Sequence, residues 1–170
     1  MTRRIIARPL TRDLLAPFGD VIGMEGAEFF PINDGRCQRY HDLARVEVLG
    51  DGARVLINLF RSEPASLPLR LPMVERHPLG SQAFVPLEGR PFLVVACPDE
   101  QGRPGAPVAL VASGSQGVNF HSNVWHAPLA PLEQRQDFLV VDRGGDGVNL
   151  EEHHFGEPYE IVLPGPGAGR

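Results

Sequence analysis

The chain contains no lysine, so all sixteen of its basic residues are arginine. Schiff-base catalysis, pyridoxal phosphate attachment and a phosphate-loop lysine are thereby excluded. Positive charge is also in short supply overall, with a formal net charge of −5 and a pI near 5.6. Nucleic acid is a poor partner for such a surface, because phosphate neutralisation needs a basic face. Cysteine is scarce too. Cys37 and Cys97 lie sixty residues apart and neither belongs to a C-x-x-C motif. Two such thiols make no disulfide framework and are expected to be buried and free in a reducing cytosol. No apolar run approaches the ~18 residues of a membrane span. Met1 to Pro9 carries Arg3 and Arg4 but lacks the apolar core of a signal peptide, so the cytoplasm is the expected compartment.

What is abundant is turn chemistry. Nineteen Gly and seventeen Pro are spread through 170 residues, which reads as many short strands joined by tight turns. Thr11 to Leu15 predicts a short capped helix ending near Pro17. Residues 25–35 read as a loop with an aromatic anchor in Phe29 and Phe30. Strands are predicted over 36–43, 46–49, 54–61, 69–76, 82–87, 92–97, 108–112, 118–120, 124–129 and 138–142. Phe92 to Cys97 is apolar throughout, as a strand covered on both faces requires. Residues 144–156 read as a polar loop, and Tyr159 to Leu163 as a final edge strand. Ten or so strands with almost no helix mean an all-β barrel or sandwich. One domain is expected over 1–163, followed by a flexible Pro/Gly tail over 164–170.

Two segments concentrate chemistry. In Glu75-Arg76-His77-Pro78-Leu79-Gly80-Ser81-Gln82, Glu75 and His77 share a strand face, and Gln82 begins the return strand. In Asn119-Phe120-His121-Ser122-Asn123-Val124-Trp125-His126, Asn123 takes a turn position, His126 faces one layer and Trp125 the other. The pair resembles the two motifs of the cupin superfamily, with Glu75 at the first His position, His77 at the second, Gln82 at the acid position and His126 closing the second motif. The expected architecture is a cupin-like antiparallel barrel or jelly roll with one short N-terminal helix.

Six stretches, in order, are similar to the ureidoglycolate lyase family. They are Arg39-Tyr40-His41-Asp42-Leu43-Ala44, Pro64-Ala65-Ser66-Leu67-Pro68, Glu75 to Phe84, Gly117 to His121, Asn123 to Leu129, and Asp142-Arg143-Gly144-Gly145. The resemblance implies a homodimer that splits (S)-ureidoglycolate into glyoxylate and urea during allantoin and purine breakdown. It also implies a divalent metal cofactor, nickel being the usual one.

The reaction needs groups that exchange protons and a cation for the substrate carboxylate. Glu75, His77 and His126 are the candidates for proton exchange, since His titrates near neutrality and burial can raise a Glu towards it. Arg61, Arg76 and Arg143 are candidates for the carboxylate. Gln82 and Asn119 are candidates for reading the urea amide, and Tyr40 is a further substrate-binding candidate. Glu75, His77, Gln82 and His126 fit a divalent ion, and equally a metal-free set of hydrogen-bonding groups. Two other readings stay open: an amidohydrolase releasing ammonia, and a non-catalytic module binding a small carboxylic acid. A metal-dependent isomerase or dioxygenase ranks lower, for want of the full histidine set.

Overall fold

The computed structural model describes residues 3–165. Its first strands are β1 (Arg3–Ile6), β2 (Arg8–Pro9) and, after helix α1 (Arg12–Leu15), β3 (Gly19–Ile22). The Thr11 side chain accepts a hydrogen bond from the Leu14 amide, which satisfies a helix-start donor as the sequence predicts. A hairpin follows, β4 (Phe29–Ile32) and β5 (Cys37–Tyr40), then the long β6 (Arg54–Ser62) and β7 (Leu69–Arg76). The middle of the chain forms β8 (Gln82–Pro86), β9 (Phe92–Cys97), β10 (Asp99–Glu100), β11 (Arg103–Pro104) and β12 (Val108–Ala112). The last strands are β13 (Gly117–Phe120), β14 (Trp125–His126), β15 (Ala130–Pro131), β16 (Gln136–Gly144) and β17 (Glu151–Val162).

Two sheets build the body. One runs β1-β17-β7-β14-β9-β12-β2, with β15 also paired to β9; the other runs β3-β13-β8-β16-β6. Buried side chains of both meet in one core, including Phe92, Val94 and Leu110 from the larger sheet and Phe84, Val118, Phe120 and Phe138 from the smaller. The outer face of the larger sheet carries a second core built on Leu71, Val74, Val95, Cys97, Trp125 and Ile161. The strand β9 is therefore buried on both sides, and its six residues are all buried. That is why its sequence shows no alternation. Face-to-face sheets with almost no helix make this the all-β, cupin-like barrel that the strand pattern predicts.

Some expectations are corrected. Residues 25–35 are not simply a loop, because Phe29–Ile32 pairs with Cys37–Tyr40 around positive-φ residues Asn33, Asp34 and Gly35. The expected strand 46–49 reduces to a single bridge between Val48 and Gly80. Within 144–156, Glu151 onward is strand, because Glu151–His154 pairs with Met73–Arg76. Polar composition misleads there, since one face of that strand meets solvent. Nor does the final strand lie at an edge: β17 runs between β1 and β7. Cys97 is buried and its thiol is pushed up to about 12 by that burial, whereas Cys37 is exposed on the hairpin. The tail predicted over 164–170 lies, from residue 166 on, outside the described residues.

Candidate active site

The backbone joins the two chemical segments directly. His126 on β14 stands opposite Glu75 on β7, and opposite residues of an antiparallel pair share a face. The other side of β14 pairs His126 with Ala96, so this face looks into the barrel core. Trp125 consequently faces the outer layer, where its Nε1–H donates to Asp99. The turn before β14 places Asn123 at φ 65°, a left-handed conformation that Asn tolerates in place of glycine. The Asn123 amide donates to the His77 carbonyl at 2.8 Å, locking the two segments together.

Four side chains converge. One Glu75 carboxylate oxygen lies 3.9 Å from His77 Nε2 and 3.8 Å from His126 Nε2. Gln82 Oε1 lies 3.1 Å from the first of these nitrogens and 3.3 Å from the second. His126 is fully buried and stacks on Phe120, with ring centroids 4.3 Å apart and planes 13° from parallel. Burial drives its pKa down to about 4, with the neighbouring His77 adding to the fall, so the ring is neutral at physiological pH. Burial moves the Glu75 carboxyl the other way, above its ordinary range; His77 opposes this and the facing Glu152 adds to it.

Both imidazoles are oriented by backbone. His77 Nδ1–H donates to the Asn149 carbonyl at 2.7 Å, and His126 Nδ1–H donates to the Val124 carbonyl at 2.9 Å. A neutral imidazole protonated at Nδ1 presents only a lone pair at Nε2. The neutral His126 thus turns an Nε2 lone pair to the Gln82 carbonyl oxygen, and His77 turns its own Nε2 to the same point beside a carboxylate. Three arrangements satisfy them: a cation among the four groups, a Gln82 amide turned about to offer its NH₂, or a proton on His77 Nε2 donated to Gln82 Oε1. The candidate ligand atoms of Glu75, His77 and His126 lie within 4.8 Å of one another. Imidazoles pinned through the far nitrogen are how proteins prepare metal ligands, and the donor set suits a borderline divalent ion.

A cavity of about 480 Å³ opens beside this cluster, walled by Phe60, Arg61, Ser62, Glu75, Gln82, Phe84 and Ala127–Leu129. Glu75 and Gln82 stand in its wall, and the imidazoles sit behind them. Arg61 reaches the wall from β6 while making two 2.8 Å bonds to Asp137.

Other predicted residues are placed elsewhere. Arg76 lies over the Trp125 ring and pairs with Asp99 and Glu151 on the outer layer. Asn119 points away from its neighbour Phe120, and its amide donates to Asp20 and to the Arg45 carbonyl. Tyr40 lies on the hairpin against Phe29. Arg143 is buried, but its guanidinium is spent on the Leu49 and Asp146 carbonyls, not on a carboxylate. Phe120 and Asn149 touch the cluster without having been predicted to. Phe120 follows from β13 alternation once the sheets are known; Asn149 sits in a Gly-rich stretch with no local signal.

A β-barrel whose two chemical motifs meet as one Glu, two His and one Gln beside a cavity has the form of the cupin-like class. Similarity to known proteins narrows the class. The profile of the family described as "Ureidoglycolate lyase" matches residues 2–162. The chain is 61% identical to the ureidoglycolate lyase of Chelativorans sp. (strain BNC1), over 95% of this chain and 98% of that protein. It is 60% identical to the ureidoglycolate lyase of Mesorhizobium japonicum, covering 95% and 99% respectively. With ureidoglycolate lyase 2 of Rhizobium meliloti it shares 58% over 91% and 94%. The chain belongs to the ureidoglycolate lyase family.

Proposed function

We propose that this enzyme is a ureidoglycolate lyase, cleaving (S)-ureidoglycolate to glyoxylate and urea as a step of allantoin and purine breakdown. The observation that carries the reading is 60–61% identity to lyases of this name over nearly the whole chain, joined to a carboxyl raised by burial in a cavity wall. A single catalytic domain spans residues 1–163, and the cytoplasm is its compartment, which two unpaired cysteines favour.

The substrate carries a carboxylate on a carbon that also bears a hydroxyl and a ureido nitrogen. Glu75 accepts the hydroxyl proton, the oxygen's electron pair forms the aldehyde C=O, and the C–N bond breaks. The proton passes to the departing nitrogen, releasing urea, and Glu75 is regenerated. A raised carboxyl pKa suits a group that must take and return a proton in one turnover. His77 and His126 flank the Glu75 carboxylate at 3.9 and 3.8 Å, and Gln82 meets the ureido amide. A divalent ion, nickel by family resemblance, would be held by His77, His126, Gln82 and Glu75, where its chemistry is to lower the hydroxyl pKa.

Arg61 meets the substrate carboxylate at the cavity rim by turning from Asp137, since its exposed guanidinium starts on the same face of β6 as Leu59. Arg61→Ala is then expected to raise KM by about tenfold with kcat little changed, since the contact is the same in ground and transition states. Steady-state kinetics on ureidoglycolate checks this.

The enzyme works as a homodimer, and the outer face of β6 is the contact. That strand ends the smaller sheet. Its Val55, Ile57 and Leu59 are 50%, 73% and 69% exposed, where an uncovered sheet face would carry polar residues. Ile57→Arg is expected to convert a two-copy species to a one-copy species in analytical ultracentrifugation.

The test of function is incubation of the protein with ureidoglycolate, following glyoxylate and urea above the uncatalysed rate. Ammonia without urea would make it an amidohydrolase. Binding without turnover would make it a carboxylic-acid-binding module.

A further inference from the structure

Between β16 and β17 the chain runs through Gly145-Asp146-Gly147-Val148-Asn149-Leu150, a stretch whose composition marks only a turn. Four contacts tie it to the body. The Asn149 carbonyl accepts the His77 Nδ1–H at 2.7 Å, and the Asn149 side-chain oxygen accepts the Leu79 amide at 2.8 Å. The Arg143 guanidinium donates to the Asp146 carbonyl at 2.6 Å and to the Leu49 carbonyl at 2.8 Å. The Asp146 amide completes the tie by donating to the Asp51 carbonyl. Arg143 fits only because its neighbour is glycine: a Cβ on Gly80 would stand 2.6 Å from Arg143 Cβ.

We infer that Asn149 is the positioning residue for His77, with Arg143 fastening the loop that carries it. The inference rests on the reading of the Glu75–His77–Gln82–His126 cluster as the active site. Asn149 makes two contacts with the His77–Leu79 turn: its side chain accepts from the Leu79 amide, and its carbonyl accepts from the His77 ring. Loop and imidazole therefore move as one unit. The carbonyl can only accept, so it keeps a proton on His77 Nδ1 and turns Nε2 to Glu75 and Gln82. Without the Leu79 bond the carbonyl is free to drift, and the ring loses both its angle and its preference between tautomers. His126 is independent of this device, because its own Nδ1–H bonds to Val124.

The experiment is ring-nitrogen NMR of full-length protein, as purified and after chelator treatment, with kinetics on ureidoglycolate beside it. In the parent, His77 is expected as a single Nδ1–H tautomer. In Asn149→Ala, His77 becomes a mixture, His126 stays unchanged, and kcat falls by about 10- to 100-fold at nearly constant KM. Asn149→Asp keeps an oxygen for the Leu79 amide and restores the single tautomer. A parent His77 protonated at Nε2 alone would overturn the inference without any variant. So would an Asn149→Ala protein with one tautomer and parental kcat, or equal disturbance of His77 and His126. If the parent does not turn over ureidoglycolate, the assignment of function falls while the ring-nitrogen result still decides the role of Asn149.

Discussion

Glu75→Gln is expected to lower kcat for urea release by a factor on the order of 10²–10⁴, the usual contribution of a proton-transferring side chain. The substitution preserves shape and removes only the ability to take a proton. Glu75 is the one ionisable group of the Glu–His–His trio that stands in the cavity wall, with both imidazoles behind it. It is also the group whose environment moves it towards neutrality, mainly through burial. His126, by contrast, is driven to about 4 and cannot readily carry a proton at physiological pH. Steady-state kinetics with thermal melting separates catalysis from folding. Elemental analysis of parent and variant separates a lost proton carrier from a lost metal ligand. A variant with parental kcat would remove Glu75 from the mechanism.

Acid is expected to destabilise the metal-free protein well above the range in which exposed carboxylates titrate. His126 titrates near 6.5 in an unfolded chain but near 4 when folded. The unfolded state therefore binds more protons in this window, and stability falls as pH is lowered through it. Its contribution is fully present above about pH 6.5 and lost as pH approaches 4. The shift corresponds to about 3 kcal/mol, a large part of the stability of a domain this size. Urea denaturation of chelator-treated protein at several pH values checks it. His126→Phe, which offers a flat ring against Phe120 and no proton site, is expected to flatten that slope. An unchanged slope would mean that water reaches the ring.

The strands with the strongest local signal were legible from composition alone. Leu69–Arg76, Phe92–Cys97 and Val108–Ala112 appear with the bounds their Pro and Gly neighbours imply. The helix at Arg12 was equally legible, because Thr11 caps it through a bond only three residues long. Illegible were segments whose structure comes from a distant partner. Glu151–His154 is polar and becomes strand only because Met73–Arg76 lies beside it. Arg143 illustrates the same limit: a buried guanidinium beside two glycines looks ready for an anion, yet the Leu49 and Asp146 carbonyls already occupy it.

Residue order by itself determined the class of fold, the two chemical segments and the shared face of Glu75 and His77, because strand periodicity and turn residues act over a few positions. Tertiary structure decided which imidazole is buried, which arginines are already committed to other partners and which backbone carbonyl sets each ring. Those properties depend on desolvation and on contacts between residues dozens of positions apart, and no local pattern encodes them.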